Sequence, residues 1–160
     1  MAKGLFTQGV CLMTDGRTKI GDLKAAMQQA AKVRREREQQ DYVEELCRAV
    51  LAFLDFDQRH LELAARKAEL VTEHATPVGS GTVARTERIP LPDRAAAAAI
   101  AWMRHQTTGY DRMVIPRAKG ERREVRRRLA TRSKELLARY RAGADIPDNC
   151  PLRTALRDPE

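Results

Sequence analysis

Five consecutive alanines, Ala95–Ala99, stand between Arg94 and the bulky set Ile100, Trp102 and Met103. Alanine is the strongest helix former and has no side chain to hold a neighbour away. The run therefore predicts a helix that another element approaches closely. Asp93 can cap it, giving a helix from Arg94 to about His105, with Gly109 ending it or opening the next turn. The same period recurs on both sides. Leu46, Val50, Phe53 and Leu54 make one stripe of an amphipathic helix over 41–56, with Cys47 as a small residue beside it. Leu61, Ala64, Ala65, Ala68 and Val71 repeat the pattern over 58–75. Val125, Leu129, Leu136 and Tyr140 form the stripe of a final helix from about Gly120 to Arg141, with Gly143 as its stop.

The remaining segments read differently. Residues 76–81 (TPVGSG) break the helical pattern, and two prolines frame the end of 82–92. Together they make one long glycine- and proline-containing connection, a kind of segment that often carries function. Residues 23–40 are helical but very polar, and the mixed charges of 32–40 predict a solvated face held by i,i+4 pairs. Residues 5–13 (LFTQGVCLM) run into Asp15-Gly16 and predict a short strand or extended arm. The expected fold is mainly α: a small helical domain of four to five helices with one long connection and a short N-terminal extended arm. Its divisions are 1–40, an arm and polar helix; 41–142, the helical domain; and 143–160, a loosely ordered tail rich in Pro and Asp.

The chain carries a net charge of +8 over 160 residues. Residues 116–142 hold eleven Lys/Arg against three Glu, so this one segment accounts for the whole excess. Arg122, Arg123, Arg126 and Arg127 are expected on the face opposite Val125 and Leu129, with Arg128 extending the patch. Guanidinium forks suit phosphate oxygens, and such a lattice on a helix is what nucleic-acid backbones bind. Aromatic residues make up only 4 % of the chain, which argues against base stacking on single strands.

Other chemistry is thinly represented. Cys11, Cys47 and Cys150 are widely spaced without a C-x-x-C, which fits a reducing cytoplasm. His60, His74 and His105 share no ligand motif, so no metal and no cofactor is expected. No apolar run approaches the ~18–20 residues a bilayer span needs, and no membrane partner is expected. The N-terminus reads as mature protein, not a signal peptide. One cluster stands out. Arg104, His105, Thr107, Thr108, Tyr110 and Asp111 crowd the end of the alanine helix. Cations are favoured at a helix C-terminus, and a His near an Asp is most simply an orienting hydrogen bond. The alternative is a His–Asp acid/base pair beside Tyr110, for which no nucleophile or metal set is present. The loop GSGTVAR (79–85) offers backbone amides to a phosphate, with Arg85 and Arg88 beside it, but lacks the strand–loop–helix context of a Walker motif.

The stretch EHATPVGSGTVARTERIPLPDRAAAAAIAWMRHQTTGYDRM (73–113) resembles the family catalogued as domain of unknown function 2293. The matching positions are His74, Gly79, Gly81, Val83, Arg85, Arg104, His105, Thr108, Tyr110 and Asp111, and the resemblance covers about residues 60–141. Ala84 departs from the pattern, as does the longer turn VIPRAKGER. The family brings no activity to transfer. The resemblance implies that His74, the glycine loop and the Arg104–Asp111 cluster belong to one site, where the alanine helix meets the loop.

These readings point to a nucleic-acid-binding protein, RNA or DNA, that contacts the phosphate backbone through Arg122, Arg123, Arg126 and Arg127, with Arg85 and Arg104 adding contacts. The alternative is a protein–protein adaptor in a larger assembly that docks through 1–40 and the basic helix. An enzyme centred on His105, Tyr110 and Asp111 ranks last.

Overall fold

The computed structural model describes residues 15–157 apart from positions 78, 80, 81 and 87. The expected arm at 5–13 and Gly81 lie outside the described residues. Among those described there are five α-helices and no strand: α1 Asp15–Leu54, α2 Leu61–Ala75, α3 Leu91–Gln106, α4 Glu121–Arg141 and α5 Pro151–Arg157. Three single 3-10 turns, Gln58–His60, Val83–Arg85 and Tyr110–Arg112, sit in the connections. The chain is mainly α, as its periodicity predicts.

It divides into two compact units, 1–40 and 41–160. In the first, α1 carries the polar stretch as expected, with i,i+4 ion pairs between Lys32 and Glu36 (3.8 Å) and between Arg34 and Glu38 (3.6 Å). Ile20, Leu23, Met27 and Val33 are apolar and more than half exposed. Two helices were expected over 23–56, but α1 is continuous. Nothing in 39–42 (QQDY) is a breaker, and Gln and Tyr fit a helix interior.

In the second unit Leu46, Val50 and Leu54 of α1 are fully buried with Ala68 and Val71 of α2, Ala95, Ala99 and Met103 of α3, and Leu137 and Tyr140 of α4. Small residues meet across the packed helices, as the alanine run predicts. Helix α3 begins three residues before Arg94, after Pro90, with Pro92 in its first turn. Asp93 is therefore inside the helix and does not cap it. A proline in the first turn surrenders only an N–H that has no partner there anyway. In α2, Leu61 and Ala65 are exposed, and Lys67 is buried instead.

Residues 143–157 correct the expectation of a loosely ordered tail. Ile146, Cys150, Leu152 and Ala155 are buried in the core, and the Tyr140 hydroxyl donates to Cys150 Sγ at 3.3 Å. Asp148 stands in the turn before α5 and pairs with Arg153, Pro151 opens the helix, and the apolar residues around them seal the core. Burial, and secondly the Cys150 contact, pushes the Tyr140 hydroxyl pKa well up.

A clasp joins the two ends of the α2–α4 stretch. Asp57 N–H donates to Tyr140 O at 3.1 Å, Arg141 Nε to Leu54 O at 2.9 Å, and His60 Nε2 lies 3.2 Å from Ala144 O. Gly143 closes against Asp57 and Arg59 with φ of 61°. The stop glycine thus serves both the left-handed turn and the close approach.

Candidate functional site

The end of α3 holds the polar cluster. His105 Nδ1 lies 2.8 Å and 2.9 Å from the two carboxylate oxygens of Asp111, and its ring meets Tyr110 edge-on at 5.4 Å. The Arg104 guanidinium covers the Tyr110 ring at 5.0 Å, and its Nη2 is 3.3 Å from His105 Nε2. Thr107 and Thr108 bend back through their hydroxyls to the carbonyls of Met103 and Arg104 at the helix end, and Thr108 Oγ1 accepts from Tyr110 N–H at 3.2 Å. Thr107 and Thr108 thus satisfy carbonyls at the end of α3, and side-chain contacts knit Arg104, His105, Tyr110 and Asp111 beside them. Asp111 only accepts and Arg104 only donates, so His105 carries its proton on Nδ1 and offers Nε2 to Arg104. Both ring nitrogens are engaged. The carboxylate and the guanidinium between them fix the orientation of the ring.

A pocket of about 620 Å³ opens beside this cluster. His105, Thr107, Thr108 and Asp111 line one side, and Pro151, Thr154 and Ala155 of α5 line the other. The α5 wall escaped the sequence reading because a Pro- and Asp-rich stretch gives no local sign of where it packs.

The glycine loop meets α3 at its opposite end. Thr82 Oγ1 donates to Ala75 O at 2.7 Å, and Arg85 donates to Thr76 O, so the loop folds onto the end of α2. Arg94, in the first turn of α3, donates to Ala84 O at 3.1 Å, and Tyr42 of α1 donates its hydroxyl to the same carbonyl. The Arg85 and Arg94 guanidiniums lie 4.9 Å and 5.7 Å from the Tyr42 ring centroid. Arg94 and His105 are eleven positions apart, about 16 Å along a helix. The one site implied by the resemblance is therefore two centres at the two ends of α3. His74 is exposed in the last turn of α2, on the loop's side of this division. Arg85 is half-buried and held by Tyr42 and Thr76, so it braces the loop instead of reaching outwards. Tyr42 and Arg94 were not singled out from sequence. Their role depends on a contact between residues 42 and 84, which no local pattern shows.

On α4, Arg122, Arg123, Arg126, Arg127, Arg128 and Arg132 are all exposed. Their expected placement needs one correction. The buried seam is Leu129, Ser133, Leu137 and Tyr140, with Val125 and Leu136 only half-buried at its edge. Arg122 and Arg126 continue this same i, i+4, i+7 line towards the N-terminus. They are not opposite the core stripe but in line with it, and they are exposed because the first two turns of α4 project past the core. Arg127 pairs with Glu124, and Arg126 Nε donates to Arg122 O at 3.2 Å.

Lys67, on the inward side of α2, has no exposed surface, and its Nζ has no hydrogen-bond partner among the described residues. Burial, and secondly the Arg141 charge, lowers its pKa to about 7. A lysine within a helical pattern reads as surface, so the sequence hides it. Among the described residues no group of His, Cys, Asp and Glu is arranged to hold a metal, and no helix is long and apolar enough to cross a membrane.

Compared with known proteins, residues 55–141 match the family model described as "Uncharacterized conserved protein (DUF2293)", just over half of the chain. No curated protein matches, and no solved structure matches.

Proposed function

We propose, for a chain that belongs to the DUF2293 family, that it binds nucleic acid through the phosphate backbone and that α4 is the contact surface. The observation that carries this reading is the projecting first half of α4. Arg122, Arg123, Arg126, Arg127 and Arg128 are all exposed within seven residues, against Glu121 and Glu124. A solvated face alternates its charges, as 32–38 does with its ion pairs, whereas this one concentrates a single sign. Arginine presents forked donors to phosphate oxygens and stays charged at any physiological pH. Arg104 is half-buried on Tyr110 and, like Arg85, belongs to the scaffold in this reading. The compartment it suits is the cytoplasm, where the free thiols of Cys47 and Cys150 stay reduced.

The test is binding of a labelled duplex at about 50 mM salt, followed as salt rises. Replacing Arg122, Arg123, Arg126 and Arg127 together by Gln keeps helix propensity and removes four charges. The expected result is weaker binding and a log-affinity against log-salt slope flatter by about one unit per lost phosphate contact. An unchanged affinity and slope would remove α4 from the interface. Absence of binding by the wild type would favour the adaptor reading. That reading has one observation of its own: Ile20, Leu23 and Met27 expose an apolar stripe at i, i+3, i+7 on α1.

A further inference from the structure

We infer that the first two turns of α4 enter the major groove of B-form DNA, so that the ligand of this surface is duplex DNA rather than RNA or a single strand. The inference rests on the nucleic-acid reading above and names its substrate. At about 100° per residue, the arginines fall into three lines along the projecting helix. Arg122 and Arg126 form the first, in register with the buried Leu129 and Ser133. Arg123 and Arg127 form the second and Arg128 the third, each roughly 100–120° from the first, and Arg132 continues the third line one turn beyond the projection, level with the buried Leu129 and Ser133. Glu124 occupies the remaining side, where it holds Arg127, and Glu121 stands at the start of the third line.

A helix lying across a phosphate ridge uses one side. A helix within a groove meets a floor and two walls. The three lines match the second case, with Arg122 and Arg126 towards the floor, the flanking lines towards the two phosphate walls, and Glu124 facing outwards. In 121–128 only Glu124 and Val125 are even half-buried, and the preceding residues 116–120 are exposed. That approach carries Arg117 and Lys119, and ahead of them Val114 is 99 % exposed. An apolar side chain presented this openly beside a basic helix has a natural contact in a groove, the methyl group of thymine. The major groove of B-form DNA, about 12 Å wide, admits an α-helix, whereas the deep, narrow major groove of A-form RNA does not.

The experiment compares one sequence as duplex DNA, duplex RNA and single-stranded DNA, by fluorescence anisotropy at equal salt, with helicity of every variant checked by circular dichroism. Three double variants, R122Q/R126Q, R123Q/R127Q and R128Q/R132Q, remove one line each. The expected result is duplex DNA bound roughly ten-fold or more tighter than duplex RNA, with all three variants weakened and guanine N7 protected from methylation by bound protein. Equal affinity for the two duplexes, one line without effect, or unprotected N7 overturns groove entry while leaving backbone binding in place. Failure to bind any of the three nucleic acids, or equal capture by anionic lipid vesicles, overturns both.

Discussion

The Nδ1 of His105 sits within 3 Å of both carboxylate oxygens of Asp111, six residues further along the chain. The pair fixes the turn that follows α3 and places the Tyr110 ring under Arg104. His105→Ala removes the Asp111 partner and the edge contact with Tyr110 together, and is expected to lower stability by about 1–2 kcal/mol, since the pair is partly exposed. Thermal melts check the magnitude. A loss of DNA affinity at unchanged melting temperature would instead make His105 a binding residue.

Lys67 makes stability depend on pH. The unfolded chain protonates this amine below 10.5, the folded chain only below about 7. Between these values the unfolded state holds more protons, so stability rises as pH rises through the window. Below about 7 both states are charged and the contribution is flat. The full change is on the order of 5 kcal/mol across the window. Lys67→Met keeps the chain's length and is expected to stabilise the protein at pH 7 and to abolish this slope. Urea titrations of both proteins at pH 7 and pH 9.5 give the comparison. A slope of equal size in the variant would assign it elsewhere.

Two glycines with left-handed backbone separate strain from collision. Gly120 has φ of 94° and open space where a side chain would go, so Gly120→Ala is expected to cost roughly 1 kcal/mol. Gly143 has φ of 61°, and a Cβ there would lie 2.6 Å from Asp57 Cγ. Gly143→Ala is expected to cost about 2 kcal/mol or more. Denaturant midpoints for the two variants should differ, and equal midpoints would mean that the clasp yields freely.

The closing segment is expected to behave as core. Leu152 is fully buried, and Leu152→Ala should cost about 2–4 kcal/mol. A loosely attached tail would register less than ~0.5 kcal/mol for the same change. The midpoint shift in urea distinguishes the two.

The contrast between α3 and α5 shows what local sequence carries. The alanine run, the crowded helix end and the His105–Asp111 spacing all lie within one stretch, and all are legible there, because helix propensity and the satisfaction of terminal carbonyls act between near neighbours. Helix α5 and the buried Lys67 are not, because burial is decided by partners far along the chain. Tyr42 meets the Ala84 carbonyl only through the fold. Arg122 and Arg126 are a different case: at about 100° per residue the period itself puts them in line with Leu129, and what local sequence leaves out is that the core stops short of them. The pocket beside Thr108 shows the same limit: one wall is the readable α3 end, and the other is α5.

The contacts of Leu54 and Asp57 with Tyr140 and Arg141 bring the two limits of the 55–141 match to one spot. A segment whose entrance and exit are neighbours suits insertion into a loop of another chain, and it suits rewiring by circular permutation, with new termini cut in the exposed 116–120 turn. A host that accepted it would have to supply the apolar cover that Leu46 and Val50 provide on one side and Leu152 on the other. Insertion would leave the projecting arginines as they are, whereas permutation would place a free terminus at the start of α4, where Gly120 O accepts from Arg123 and Glu124 N–H. The exposed arginines of α4 and the sequences that flank the module on its insertion side can therefore diversify independently of each other.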